Sequence, residues 1–266
     1  MLYLASQVDP TQHFFAYVPG TGGHGAPVFV TVHGLSRNAH EHASLFSSHC
    51  EDVGAVLVAP CFDEQSKDFQ RLGRSGRGTR ADAALDAMLE EVSWMTGAVT
   101  TRIHLFGFSG GAQFAHRYAM AYPHRIARAV IAAAGWYTFP DPKERYPYGI
   151  RRSRELPDVH FDPEEFLQVA ITVMVGDQDT TNVDLRITER VNRQQGENRL
   201  ERAQNWVSAM RAAADAYHLD PRVTYESIPN GDHSFGTLMR ERGLGERVFA
   251  ALFGAPATRV QGADHG

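Results

Sequence analysis

A serine flanked by glycines two residues away on either side constrains this sequence more than any other feature. Gly107, Ser109 and Gly111 fit the pattern G-x-S-x-G, in which a serine occupies a strained turn between a buried strand and a helix. A side chain at either glycine position would collide with the neighbouring strand or helix, whereas glycine lets the turn close tightly. Residues 101–106 are strand-like and residues 114–118 have helical spacing. We therefore predict that Ser109 is a nucleophile on a strand-to-helix turn.

The remaining segments predict an α/β protein with a mostly parallel sheet and helices on both faces. Residues 27–32 form a continuous β-branched run of the kind that is buried on both faces of a parallel sheet. Strand, helix, strand is the unit of parallel connection, and it recurs along this chain. Strands are predicted at 12–19, 27–32, 54–59, 101–106, 125–134, 170–175 and 222–228, and helices at 41–52, 81–95, 198–218 and 237–252.

No linker or internal repeat marks a second domain. We therefore expect a single domain over residues 1–254, followed by a frayed tail at 255–266. Residues 135–165 are rich in proline, aromatic and charged residues and are predicted to form a cap-like insertion. Residues 61–80 contain four arginines among glycines, which favours a loop that faces solvent over a grip on an acidic substrate: Arg71, Arg74, Arg77 and Arg80.

Composition and charge narrow the classes of partner. With 43% hydrophobic and 21% charged residues, the 266-residue chain can bury a substantial core. The net charge of -5 disfavours nucleic acid and anionic membranes as partners. Residues 1–10 contain no apolar run of signal-peptide length, and no apolar stretch approaches the length of a membrane span. We therefore expect a cytoplasmic protein, with homo-oligomerisation left open. Cys50 and Cys61 are expected to be unpaired thiols, although one bridge between them stays open.

An activated serine needs a histidine base and a carboxylate that orients this histidine. In chains with a G-x-S-x-G turn, the acid comes after the serine in the sequence and the histidine comes after the acid, each on a loop that follows a later strand. Asp179 follows the strand at 170–175, and His233 follows the strand at 222–228. Asp177 is the nearest rival to Asp179, and Asp141 is a more distant one. We predict Ser109, Asp179 and His233 as the catalytic residues.

Acyl transfer also requires two donors for the negative charge on the former carbonyl oxygen. The backbone N–H of Gly110 follows the nucleophile at the start of a helix, and the N–H of Leu35 lies in the loop after the strand at 27–32. His33, in the same loop, is expected to order it rather than to transfer protons. The other histidines do not have a zinc-site spacing, so no metal site is predicted, and His40, His42 and His49 are assigned to a helix surface.

Residues 30–38, 107–111, 176–179 and 231–233 together resemble the α/β-hydrolase superfamily. Residues 106–114 and 134–137 resemble its esterase and polyhydroxybutyrate-depolymerase-like branch. The resemblance implies a three-layer α/β/α sandwich around an eight-stranded, mostly parallel sheet, with no cofactor. A short insertion is expected after the sixth strand.

These features predict a serine hydrolase that cleaves small-molecule carboxylic esters through an acyl-enzyme. His33, Trp136 and Tyr137 are candidates for the substrate pocket. The same three catalytic residues could cleave amides or peptides or transfer the acyl group to another alcohol, because the pocket selects the substrate. A non-catalytic binding protein with this fold and a metal-dependent hydrolase are alternatives of a different kind.

Overall fold

An eight-stranded sheet forms the centre of the protein in the computed structural model, which describes residues 1–63, 66, 68–73 and 78–254. The strands are Leu2–Ala5 (β1), His13–Tyr17 (β2), Pro27–Val32 (β3), Val56–Cys61 (β4), Val99–Phe108 (β5), Ile126–Ala132 (β6), Ile171–Gly176 (β7) and Val223–Ile228 (β8). Their order across the sheet is β1-β2-β4-β3-β5-β6-β7-β8. Strand β2 is antiparallel to both of its neighbours, and all other pairs are parallel. The predicted mostly parallel sheet is confirmed.

Helices cover both faces of this sheet. Among the described residues the α-helices are Ala39–Val53 (α1), Ala81–Thr96 (α2), Gly110–Ala121 (α3), Pro163–Phe166 (α4), Glu189–Gln195 (α5), Arg199–Ala216 (α6), Phe235–Glu241 (α7) and Leu244–Phe253 (α8). Helices α1, α7 and α8 pack on one face of the sheet, and α2, α3 and α6 pack on the other. The chain therefore forms the predicted three-layer α/β/α sandwich.

The alternation of side chains along the central strands creates two apolar cores. In β3, Val28 and Val30 join the core beneath α2 and α3, while Phe29 joins the core beneath α1 and α8. All three side chains are fully buried. A strand whose side chains are mostly apolar on both faces is typical of a sheet covered by helices on both sides, which is why the run at 27–32 predicted its place correctly.

The structure corrects several predicted elements. Strand β1 was not predicted, because three of its four residues are exposed at the edge of the sheet and it has no alternating pattern. The short helix α5 was also not predicted. The helix predicted at 237–252 is two helices, α7 and α8, because the chain breaks at Gly243, whose φ is 66°. Glycine adopts this left-handed conformation at little cost.

The prediction of a solvent-facing loop at 61–80 is wrong for the two arginines that the structure describes. The Arg71 side chain is 16% exposed and pairs with Asp68 and Glu155. The Arg80 side chain is 14% exposed and pairs with Asp82 and Asp158. Local sequence composition does not reveal the partners Glu155 and Asp158, because both are distant in the chain from the arginines that they contact. Arg74, Arg77 and the tail at 255–266 lie outside the described residues.

Cys50 and Cys61 are both free, as expected. Burial raises the pKa of Cys61 to about 12 and moves the pKa of Cys50 still further up. Both groups therefore stay protonated at neutral pH, and neither is a reactive thiolate. In the part of the chain that the structure describes, no helix combines the length and apolar character that a membrane crossing requires.

Candidate active site

Ser109 occupies a strained turn between β5 and α3. Its φ of 53° and ψ of -110° lie outside the helical and extended regions, and its N–H donates to the carbonyl oxygen of Ala132 at 2.9 Å. A Cβ on Gly107 would lie 2.7 Å from the nitrogen of Ala112, and a Cβ on Gly111 would lie 2.6 Å from the oxygen of His33. Both positions exclude a side chain, so the two glycines permit the turn that the motif predicts.

Two further glycines bring the ends of β7 and β8 together. A Cβ on Gly176 would lie 2.9 Å from the Cα of Gly231, so the two backbones approach as closely as glycine allows. The N–H of Gln178 donates to the oxygen of Gly231 at 2.9 Å. This contact links the loop that carries Asp179 to the loop that carries His233.

The side chains of Asp179, His233 and Ser109 form a continuous chain of hydrogen-bonding distances. His233 Nδ1 lies 2.7 Å from Asp179 Oδ2, and His233 Nε2 lies 3.0 Å from Ser109 Oγ. The Asp179 side chain is fully buried, whereas the His233 side chain is 23% exposed. The ring of Phe108 stacks on the imidazole at a centroid distance of 5.2 Å. The tautomer with the proton on Nδ1 leaves Nε2 free to accept the serine proton.

The rival carboxylates lie elsewhere. Asp177 accepts a hydrogen bond from the side chain of Gln178 at its Oδ1, and Asp141 accepts one from the N–H of Lys143. Neither carboxylate contacts His233. Of the three acids that the sequence offered, the structure brings only Asp179 to the imidazole.

The backbone nitrogen of Leu35 lies close to Gly110, the residue that follows Ser109. A Cβ on Gly110 would lie 3.3 Å from the Leu35 nitrogen, and a Cβ on Gly34 would lie 3.4 Å from the Cβ of Ser109. Gly110 is the first residue of α3, where the N–H has no partner within the helix. Among the described residues, no acceptor is bound to the N–H of Leu35. Two backbone donors and a helix N-terminus therefore lie beside the serine, where an oxyanion would form.

His33 lies beneath this loop and does not line the cavity. It is completely buried, its Nδ1 lies 2.7 Å from the Gly34 oxygen, and its Nε2 accepts from the N–H of Phe62 at 3.0 Å. Burial lowers the pKa of His33 to about 4, although the bond to Gly34 opposes this shift. A neutral histidine with both nitrogens occupied fixes the loop, so its assignment to the substrate pocket is wrong.

The predicted aromatic pocket residues are also placed elsewhere. Tyr137 is completely buried and stacks on Trp206 at a centroid distance of 5.0 Å, so it belongs to the core beneath α6. Trp136 packs against the guanidinium groups of Arg117 and Arg186. These contacts hold the start of the 135–165 segment against α3, and no residue of that segment lines the cavity beside Ser109.

The cavity beside Ser109 has a volume of about 410 Å³ and is bounded mainly by polar side chains. Most of these residues follow a strand end or begin the next helix, but they were not predicted from the sequence. The side chains at its wall that were not predicted are Ser36, Asn38, Glu41, Phe108, Asp184, Ser234, Phe235, Thr237 and Arg240. Arg240 pairs with Glu41 at 2.9 Å across the rim.

The histidines of α1 do not form the predicted surface set. His42 is completely buried, its Nδ1 lies 2.8 Å from Thr31 Oγ1, and its ring stacks on Phe235 at 3.7 Å. His40 is exposed and His49 is half-buried. Within the described residues no group of histidines, cysteines and carboxylates is arranged to hold a metal ion.

Comparison with known proteins gives structural matches only. No protein-family model and no curated protein matches the sequence significantly. Poly(aspartic acid) hydrolase-1 from Sphingomonas sp. KT-1 is 25% identical, with a TM-score of 0.74 over 87% of this chain and 91% of that chain. The poly(3-hydroxybutyrate) depolymerase LpqC from Bordetella parapertussis is 23% identical, with a TM-score of 0.75 over 93% of this chain and 86% of that chain.

S-formylglutathione hydrolase FrmB from Staphylococcus aureus is a more distant match. It is 12% identical to this chain and has a TM-score of 0.62, with 94% of this chain and 97% of that chain covered. The eight strands, their mostly parallel pairing and the position of the serine turn agree with the architecture that the resemblance implied. The chain therefore has the α/β-hydrolase fold, which it shares with these enzymes.

Proposed function

We propose that this protein is a serine hydrolase that cleaves carboxylic esters through an acyl-enzyme intermediate. The observation that carries the proposal is the hydrogen-bonded chain from Asp179 through His233 to Ser109 Oγ. A serine hydroxyl becomes a useful nucleophile when a positioned imidazole removes its proton. The catalytic unit is the single domain at residues 1–254, in which the 135–165 segment packs on the side of α3.

The reaction proceeds in two steps on the same three side chains. Ser109 Oγ attacks the ester carbonyl carbon while His233 Nε2 takes the serine proton, and the buried carboxylate of Asp179 stabilises the imidazolium. The N–H groups of Leu35 and Gly110 donate to the oxyanion. His233 then gives the proton to the leaving alcohol. Water, deprotonated by His233, releases the acid and restores Ser109.

The wall of the cavity favours small, polar ester substrates. Asn38 and Thr237 present polar groups to the space beside Ser109, and Glu41, Asp184 and Arg240 present charged ones. A long alkyl chain would have to strip water from these groups without replacing their hydrogen bonds. We therefore expect a p-nitrophenyl acetate to be cleaved faster than a p-nitrophenyl decanoate.

Labelling with a fluorophosphonate probe tests the proposal directly. The wild-type protein should react at Ser109 and hydrolyse p-nitrophenyl acetate, and Ser109→Ala should lose both the label and the hydrolysis. Ser208→Ala is a matched control, because Ser208 lies on the exposed side of α6 and its hydroxyl contacts only the Gln204 oxygen. A wild-type protein that stays unlabelled would support a non-catalytic binding protein. Hydrolysis that persists in Ser109→Ala but is lost when a chelator is added would support metal-dependent chemistry.

The same experiment separates esters from the other acyl substrates. A matched p-nitroanilide and an added acceptor alcohol, each tested beside the ester, report amide cleavage and acyl transfer. Faster turnover of the anilide than of the ester would contradict the assignment to esters while leaving the nucleophile in place.

A further inference from the structure

A buried arginine outside the three proposed catalytic residues contacts the carboxylate of Asp179. Arg199 Nη1 lies 3.3 Å from Asp179 Oδ1, while Oδ2 of the same carboxylate faces His233. The Arg199 side chain is 1% exposed, and that of Asp179 is fully buried. Because little water screens this pair, its mutual attraction is stronger than that of an ion pair at the surface.

The same guanidinium holds the loop that follows Asp179. Arg199 Nη2 donates to the oxygen of Val183 at 2.7 Å, and Nη1 lies 3.4 Å from the oxygen of Thr181. The next residue, Asp184, has a left-handed φ of 54° and lines the cavity beside Ser109. One side chain therefore links the carboxylate to the wall of the substrate cavity.

The local environment of Arg199 in the chain is unfavourable for a cation. Arg199 is the first residue of α6, where the helix dipole disfavours positive charge. Burial of an arginine without compensation is also costly. A contribution from elsewhere must offset both costs, and the carboxylate of Asp179 is the anion that the guanidinium contacts.

Arg202, one helical turn further along α6, provides a comparison. It is also completely buried, but it donates to the oxygens of Gly196 and Gly135 and to Asn192 Oδ1, all of which are neutral. Burial lowers the pKa of Arg202 to about 10, and the neighbouring charge of Arg199 adds to this shift. Arg202 therefore has the burial and the helix of Arg199 without its contact to the proposed active site.

We propose that Arg199 is a positioning residue for ester hydrolysis, an inference that rests on the proposed function. Its contact orients the Asp179 carboxylate, and its bonds to Thr181 and Val183 hold the cavity wall. The guanidinium and the imidazolium that forms on His233 during the reaction share this one carboxylate. Tyr137 is a further titratable group near Asp179, and burial, followed by electrostatic interaction with Tyr225 and Asp179, raises its pKa, so it stays neutral.

The pH dependence of kcat/KM with p-nitrophenyl acetate tests this role. In Arg199→Gln the buried carboxylate stabilises the imidazolium without competition, so the acidic limb of the profile should move up by about one pH unit. At the pH optimum, kcat/KM should fall by about tenfold or more, because the carboxylate and the loop lose their anchor. Arg199→Lys keeps the positive charge but loses the planar set of guanidinium donors. The acidic limb of its pH profile should therefore lie within about half a pH unit of that of the wild type, while kcat/KM stays low.

Arg202→Gln is the matched control for loss of a buried arginine. It should lower the thermal midpoint but leave the acidic limb where the wild type has it. The proposal is overturned if Arg199→Gln leaves the limb in place or if Arg202→Gln moves it equally. If Arg199→Gln does not fold, Arg199→Lys decides: wild-type kcat/KM in that variant overturns the proposal. A wild-type protein that does not react with fluorophosphonate overturns the proposed function and this role together.

Discussion

Gly176→Ala should separate the acid from the base without changing any proposed catalytic side chain. The added Cβ would lie 2.1 Å from the oxygen of Gly231 and 2.9 Å from its Cα. To reach an ordinary carbon–oxygen contact of about 3.3 Å, the two backbones must move apart by about 1.2 Å. If this opening reaches the side chains, the distance of 2.7 Å between His233 Nδ1 and Asp179 Oδ2 becomes about 3.9 Å.

A distance of this length no longer supports a normal hydrogen bond, so the imidazole loses its orientation. A misplacement of this size is expected to lower kcat/KM by about 100-fold. The assay is hydrolysis of p-nitrophenyl acetate, run beside a thermal unfolding scan that measures the fraction folded at the assay temperature. Gly20→Ala is the control, because a Cβ there meets only the flexible end of the Glu51 side chain. A folded Gly176→Ala protein with kcat/KM within about threefold of wild type would refute the reasoning.

Two further predictions test the donors beside Ser109 and the buried histidine beneath them. Leu35→Pro removes the proposed oxyanion donor and should lower kcat by about 100-fold, whereas Leu35→Ala keeps the N–H and should stay close to wild type; equal kcat values in the two variants would argue against that donor. Because the pKa of His33 is lowered to about 4 in the folded state, this residue binds a proton in the unfolded state but not in the folded state between about pH 6.5 and pH 4. The stability that this residue contributes is complete above pH 6.5 and falls as the pH drops from there towards 4, by roughly 3 kcal/mol. Urea unfolding at pH 7 and pH 4.5 measures this loss, which should shrink in His33→Gln; equal free energies of unfolding at the two pH values would contradict it.

The elements that the sequence predicted well are those whose signal is local. The β-branched run at 27–32 matches β3, and the glycines around Ser109 match a turn that excludes side chains at both positions. Asp179 and His233 were found because parallel strands end at the same edge of the sheet, so the loops that follow them converge.

The predictions that failed concern contacts between segments that are distant in the chain. Tyr137 and Trp136 are aromatic and follow a strand end, as pocket residues often do, but Trp206 and Arg117 bind them inside the protein. His42 was assigned to a helix surface, yet Thr31 and Phe235 enclose it. No pattern within one segment indicates which other segment will cover it.

The sequence by itself determined the fold class, the strained serine turn and the order in which the acid and the histidine follow it. These depend on backbone sterics and on the period of apolar residues, which act over a few neighbouring positions. Only the tertiary structure decided that Asp179 rather than Asp177 meets His233, that polar side chains bound the cavity, and that Arg199 lies against the buried carboxylate. Hydrogen bonds and charge pairing fall off within a few ångströms, so their partners are set by the packing of distant segments and not by their spacing along the chain.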